Sequence, residues 1–225
     1  MPGFDPDLAE RSYGLMRWVN RVLGGIRMVK RFIGAEALNP PQGRPLRVLD
    51  LGSGSADIPL AVSHWALRHG LNVQFTCLEI NDQAAKMAYK AVQKAIDPRV
   101  RVVAADAFEY QPEEPFDCAT GSMFFHHLAD DRILTLLEHL RGFVYRSVLI
   151  NDLRRTWPHY IGAMLLTSGM PSELRHDALL SIRRGFRPLE LQQLLEQLPN
   201  ASILVETGWL FRVSAVIRYI RGETP

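Results

Sequence analysis

The stretch Val48-Leu49-Asp50-Leu51-Gly52-Ser53-Gly54-Ser55-Ala56-Asp57-Ile58-Pro59-Leu60 narrows the possible folds of this chain more than any other. It reads as a buried strand that enters a glycine turn and leaves it as a helix. Gly52 and Gly54 let the backbone approach a ligand with no Cβ in the way, and the helix that follows turns its first N–H groups toward the same space. Asp50, at the strand end, offers a carboxylate to a cation. Downstream, strand and helix patterns alternate, as a parallel sheet with helical crossovers requires.

The acids around the turn decide what such a pocket accepts. A dinucleotide pyrophosphate would be repelled by Asp50 and by Asp57 in the first helical turn. The third glycine of the dinucleotide fingerprint, three residues after Gly54, is also replaced here by Asp57. With its hydrophobic strand, its acid and its alternate glycines, the segment resembles the first motif of the class I S-adenosylmethionine-dependent methyltransferases. Ala56 stands where many members carry the last glycine. The resemblance implies S-adenosylmethionine as cofactor, whose ammonium and sulfonium make an acid near the turn favourable.

Three further strand ends follow at suitable intervals. Val73-Gln74-Phe75-Thr76-Cys77-Leu78-Glu79 ends on a carboxylate able to accept from both hydroxyls of a ribose. Val100-Arg101-Val102-Val103-Ala104-Ala105-Asp106-Ala107-Phe108 is a third strand closing on Asp106, at what in the family is the adenine position. Phe116 to Leu128, through Gly121-Ser122-Met123-Phe124-Phe125-His126-His127, resembles the fourth motif, where a strand leaves the sheet beside the methyl donor. The resemblance thus implies a cofactor set of Asp50, Gly52, Ser53, Gly54, Glu79, Ile80, Asp106, Ala107, Ser122 and Met123. Singly, each acid has a plainer explanation: Asp50 and Asp57 favour a helix start, Glu79 is a solvated strand end, Asp106 a turn former. Together they need four strands to end on ligand-suited residues by accident.

The 225 residues are enough to bury a full core in one domain. Lys and Arg number 26 against 24 Asp and Glu, a balance that makes no case for nucleic acid as partner. Cys77 and Cys118 each fall in an apolar strand pattern and read as buried thiols in a reducing compartment. No apolar run is long enough to span a bilayer, and the first residues carry Asp5, Asp7 and Glu10 rather than a signal-peptide layout, so a cytoplasmic location is expected. Asn39-Pro40-Pro41-Gln42-Gly43-Arg44-Pro45 is the linker-like stretch, dividing a helical leader or lid (residues 1–44) from the cofactor-binding domain (residues 45–225). The expected fold is a Rossmann-like, seven-stranded, mostly parallel sheet with helices on both faces. Asp130 is the expected N-cap of one helix, and Ala201 to Ile220 is expected to form an antiparallel C-terminal hairpin turning at Thr207-Gly208.

Ligands of such folds collect beyond the carboxyl ends of the strands, which directs attention to the segments after Met123 and Ile150. His126 or His127, near where the family positions the methyl group, is a candidate base for a phenolic or enolic proton; the alternative is that they only hold the loop. Asn151 and Asp152 are candidates to orient a hydroxyl, and Arg155, His159 and Arg183 to meet a polar head. An ion-paired strand end followed by a core helix is the competing explanation. No metal site is expected. In the leader, Leu15, Met16, Val19, Val22, Leu23, Ile26, Val29 and Ile33 form an apolar face opposite Arg17, Arg21, Arg27, Lys30 and Arg31, and Gly24-Gly25 interrupts the helix. Such a helix packs on its own domain, covers a substrate, or rests on an anionic membrane surface.

The function expected from the resemblance is methyl transfer to a small aromatic or lipophilic acceptor of the phenol, quinone or polyketide kind. The first expectation is a hydroxyl oxygen, with carbon next. A cofactor-binding partner subunit with no chemistry of its own, and an RNA-directed enzyme, are the competing classes; no aromatic platform supports the latter.

Overall fold

The computed structural model describes residues 6–208 and 210–220, with side chains from residue 13 onward; Asp5 and the side chains of Asp7 and Glu10 lie outside them. In chain order the strands are β1 (Leu46–Leu51), β2 (Val73–Glu79), β3 (Val100–Ala104), β4 (Phe116–Ser122), β5 (Val144–Leu153), β6 (Ala201–Thr207) and β7 (Arg212–Tyr219). The helices are α1 (Pro6–Val22), α2 (Gly25–Glu36), α3 (Asp57–Arg68), α4 (Asp82–Ala95), α5 (Asp130–Arg141), α6 (Trp157–Leu166), α7 (Ser172–Arg184) and α8 (Pro188–Leu195). The strands form one seven-stranded sheet in the order β3-β2-β1-β4-β5-β7-β6. The first five run parallel, and β7 is antiparallel to both β5 and β6. The expected seven-stranded sheet with its terminal hairpin is the sheet observed.

The strands are apolar on both faces because both faces are covered. Val48 and Cys118 pack with Val29 and Ile33 of α2 and Val62 of α3, while Leu49, Leu51 and Ala119 pack with Leu136 and Leu137 of α5 and Leu191 of α8. Successive residues of a strand point to opposite faces, so the two-residue period divides the core into these two layers. Both cysteines are free and buried among them.

Local chemistry sets the helix starts. Asn81 caps α4, its side-chain oxygen accepting from the N–H groups of Gln83 and Ala84 at 3.0 Å each. Asp130 departs from expectation: the cap position of α5 belongs to Ala129, and Asp130 is the first helical residue. With Asp131 it places negative charge in the first turn, where the helix dipole favours an acid without any side-chain cap bond. The helix of the leader ends at Val22 and a second begins at Gly25, as the Gly24-Gly25 pair suggests; Gly24 sits at φ 82°.

The linker is not a packing boundary. Val29, Phe32 and Ile33 of α2 are buried in the same cluster as Leu46, Val48 and Val62. Arg44 donates two bonds, of 2.6 and 2.8 Å, to the buried Asp117 carboxylate, which also accepts from the Arg47 N–H at 2.9 Å. Replacement of Ile33 by Ala is therefore expected to lower stability by about 2–5 kcal/mol, as much as the same truncation at Leu136 in α5. Urea unfolding of the two variants checks this, and a negligible effect at Ile33 would make α2 an appendage.

Candidate active site

The parallel register brings the strand tips together. Leu51 pairs with Leu78, and Glu79 with Ala104, so the ends of β1, β2 and β3 stand side by side. The turn after β1 is fastened onto the tip of β2: the Ser53 N–H donates to the Leu78 carbonyl at 3.0 Å and the Gly54 N–H to the Glu79 carboxylate at 2.8 Å. The other Glu79 oxygen accepts from the Asn81 N–H at 2.9 Å. Gly52 is at φ 58°, and a Cβ there would lie 2.4 Å from the ring of Phe124, so only glycine fits. Asp106 follows β3 and accepts from the Phe108 N–H at 2.9 Å; Ala107 is buried beside it, and Ile80 is exposed.

Asp50 is buried at the base of this cleft and accepts a 2.6 Å bond from the Thr120 hydroxyl. Burial pushes its pKa up to about 7 against the hydrogen bonds from Thr120 and Ser53, and the nearby Asp57 and Glu79 charges push the same way. The site is a cluster of acids short of cations. Its residual cavity, about 40 Å³, is lined by Asp50, Gly52, Ser53, Gly54, Asp57, Ser122 and Met123, with Met16 and Asn20 of α1 over it.

A second cavity, of about 480 Å³, adjoins the first, since Met16 and Met123 line both. Its walls are oily: Leu15, Trp18 and Val19 of α1, with Leu23 just past its end, face Ala163 and Leu166 of α6 and Ala178 and Ile182 of α7. The polar groups are few, namely His159, Thr167, Asp177 and Ser181. His159 is buried and stacked flat on Phe211 at a centroid distance of 4.7 Å, with its Nδ1 3.0 Å from the Arg154 carbonyl oxygen. That oxygen can only accept, which assigns the proton to Nδ1 and leaves Nε2 with its lone pair. Burial lowers the His159 pKa, outweighing the Arg154 hydrogen bond, and the Arg212 and Arg154 charges lower it further, so the ring is neutral near pH 7.

Comparison with known proteins fits this geometry. Residues 48–145 match the family described as "methyltransferase domain". The matched stretch is less than half of the chain. The chain's fold is that of S-adenosylmethionine-dependent methyltransferases of known structure. The plantazolicin methyltransferase BpumL in complex with S-adenosylhomocysteine (SAH) has a TM-score of 0.71 at 15% identity, over 96% of this chain and 91% of that one. A SAM-dependent methyltransferase from Aquifex aeolicus gives 0.65 at 15% identity, over 97% and 100%. Magnesium protoporphyrin IX methyltransferase ChlM from Synechocystis PCC 6803 with bound SAH gives 0.60 at 12%, over 92% and 94%. At these identities the likeness is one of fold. No curated protein sequence matches the chain.

The ten residues expected at the cofactor lie at or beside the tips of β1 to β4. The residues expected at the acceptor are dispersed, and of the five only His159 lines the large cavity. Asn151 is fully buried and donates to the Gly25 carbonyl at 3.2 Å and the Ser122 hydroxyl at 3.0 Å. Arg155 is paired with Glu190, and with Arg183 it surrounds a separate cavity of about 200 Å³. Asp152 is fully buried against His126, whose Nδ1 lies 2.7 Å from the carboxylate and whose backbone N–H donates to it at 3.1 Å.

Neither His126 nor His127 is among the residues lining the two cavities. His126 is 3% exposed, and its ring lies 4.1 Å from that of His127. Protein packed around the His127 ring, then the His126 charge, lower its pKa to about 4. Residues that sequence reasoning passed over are Asn20, Phe124, Phe211 and Arg212. Asn20 carried a signal: it is a polar residue four positions after Met16, on the apolar face of the leader. Among the described residues no group of three or more His, Cys, Asp or Glu is arranged to hold a metal, and no helix is long and apolar enough to cross a membrane.

Burial works against the Asp152 carboxylate, but the His126 charge and hydrogen bond, with the N–H groups of Leu153 and His126, hold its pKa below the ordinary value. A depressed acid stabilises the fold above its unfolded pKa and loses that contribution as pH falls through the folded value. Asp152→Ala is expected to cost about 3–5 kcal/mol at neutral pH by stranding His126. The gap to wild type should hold from neutrality down to about pH 5 and narrow below about pH 4 in denaturant titrations.

Proposed function

We propose that this chain binds S-adenosylmethionine at the tips of β1 to β4 and methylates a small oily acceptor, at a hydroxyl oxygen, in the cavity beneath α1. The observation that carries the reading is the junction at Met16 and Met123, where a cleft ringed by acids meets a chamber walled by apolar side chains.

The donor set suits this cofactor. Asp50 and Asp57 can accept from an ammonium group, Glu79 from ribose hydroxyls, and Asp106 from an adenine amine through the oxygen not engaged by the Phe108 N–H. An anionic pyrophosphate would meet the same acids unfavourably. When bound, S-adenosylmethionine supplies an electrophilic methyl group. The chain's own work is then to position and to dry. The apolar residues of α1, α6 and α7 hold the acceptor and exclude water, and close approach to the methyl carbon accounts for most of the acceleration.

His159 is the better candidate for the proton of the acceptor hydroxyl. It lines the chamber, its Nε2 is unprotonated and its pKa lowered, and its Nδ1–H is anchored on a carbonyl. His126, fixed on Asp152 and away from both cavities, and His127 are weaker candidates. A carbon acceptor activated by its own hydroxyl would use the same imidazole.

Calorimetry with SAH tests the cofactor assignment, and the absence of any binding by folded protein ends it. Glu79→Ala should weaken SAH at least about tenfold, through loss of charged hydrogen bonds. A cation favours the ionised form of Asp50, whose pKa is raised to about 7 in the free protein, so affinity should climb from about pH 5.5 to about 7.5 and then level. Asp50→Asn should flatten that rise apart from the smaller part owed to Asp57, which is also shifted upward, by burial.

For the base, His159→Gln should reduce kcat on a phenolic or quinol acceptor about 10²- to 10⁴-fold with SAH affinity unchanged, and His127→Gln should leave kcat within about twofold. Full turnover by the His159 variant at saturating acceptor would remove the imidazole from the reaction.

A further inference from the structure

Arg212 opens β7 with a side chain that is 1% exposed, the largest fully buried among the described residues. Its Nη2 donates to the Asn20 side-chain oxygen at 3.1 Å and reaches the Met123 sulfur at 3.4 Å. Its Nε and Nη1 have no partner, and no described carboxylate makes an ion pair with it. The two acids that feel its charge are engaged elsewhere. Asp57 accepts from Asn20 at 3.2 Å, and Asp152 is held by His126. A guanidinium buried with two donors unfilled is costly, and proteins keep such a group where an anion completes it.

It lines neither cavity itself but lies directly behind residues at their junction. Met123 lines both, Asn20 lines the cleft, and Phe211 and Leu153, its chain neighbour and its β5 partner, line the chamber. Met123 and Phe211 are held at φ 54° and 68°, a left-handed backbone that non-glycine residues adopt only under constraint from their surroundings. Among the chamber's lining residues there is no Lys or Arg, and the Arg212 guanidinium stands one layer behind them, against Met123. Burial lowers the Arg212 pKa to about 10, with Asp152 and Asp57 opposing, and the group stays charged at neutral pH.

We propose that Arg212 is a carboxylate-binding residue behind the junction of cofactor cleft and acceptor chamber, a role that rests on the methyl-transfer reading above. The end-on fork of Nη1 and Nη2 matches the two oxygens of a carboxylate, which would fill Nη1 and take the place of the Asn20 oxygen on Nη2. The carboxylate comes either from an acid borne by the acceptor beside its reacting hydroxyl or from the methionine end of the cofactor, whose ammonium the neighbouring acids would take.

Calorimetry on the full chain, wild type and Arg212→Met, separates the sources with two pairs of probes. SAH has a carboxylate and 5′-methylthioadenosine has none; 1-hydroxy-2-naphthoate and 1-naphthol are one oily ring system with and without it. If the acceptor supplies the group, the variant binds hydroxynaphthoate about 10- to 100-fold more weakly and naphthol unchanged. If the cofactor supplies it, the same loss falls on SAH and spares methylthioadenosine. Equal losses within both pairs, or none in either, overturn the proposal. Arg212→Lys keeps the charge but not the fork and should fall between wild type and the Met variant, and it carries the test if the Met variant does not fold. A wild type that binds no SAH, yet prefers hydroxynaphthoate through Arg212, would sink the methyl-transfer reading and leave this assignment standing.

Discussion

The site depends on the fastening of the β1 turn to the tip of β2. Two main-chain donors, the N–H groups of Ser53 and Gly54, reach across to the Leu78 carbonyl and the Glu79 carboxylate. Those bonds exist because β1 and β2 are parallel and in register, so both strands end at one level. The turn needs residues at positive φ, and Gly52, Gly54 and Ala56 supply them at 58°, 53° and 57°. The parallel pairing with β3 and β4 then brings Ala104 and Gly121 to the same edge. Distant segments become one cleft by strand register, with no contribution from a disulfide.

This explains what could be read from residue order and what could not. Strand tips were legible because each is marked twice, by an apolar run and by the polar residue that ends it, and parallel pairing maps that order onto space. The acceptor side has no such rule. Asn151 and Asp152 end β5 in the expected way, yet both turn into the protein, where one secures α2 to Ser122 and the other holds His126. Arg155 was drawn off by Glu190, a residue far along the chain whose position nothing local foretells. Arg212 was hidden for the opposite reason. At the start of an apolar strand it passes for a solvated end, and only the packing of α1 and α2 over that end buries it.

The leader is where function and stability meet. Its second half is core, since Val29 and Ile33 are fully buried, while its first half forms one wall of the chamber. Between them Gly24 and Gly25 serve different ends: the first at positive φ, the second because a Cβ would come within 3.1 Å of the Arg212 guanidinium. The break thus follows from the need to let a helix pass close over a buried charge.

Asn20 joins these parts. Its amide donates to Asp57 at the start of α3 and accepts from Arg212 on β7, so one side chain of α1 stitches both flanks of the cleft. Asn20 also lines the cleft, so a ligand that fills the cleft comes up against it. Were a ligand to take the place of Asn20, Asp57 would lose an amide donor and Arg212 an oxygen acceptor at once. A ligand end bearing a cation and an anion side by side restores both partners, and a neutral one restores neither. On the proposed reading, the way α1 is held therefore favours a zwitterion, in addition to whatever the acids at the strand tips contribute.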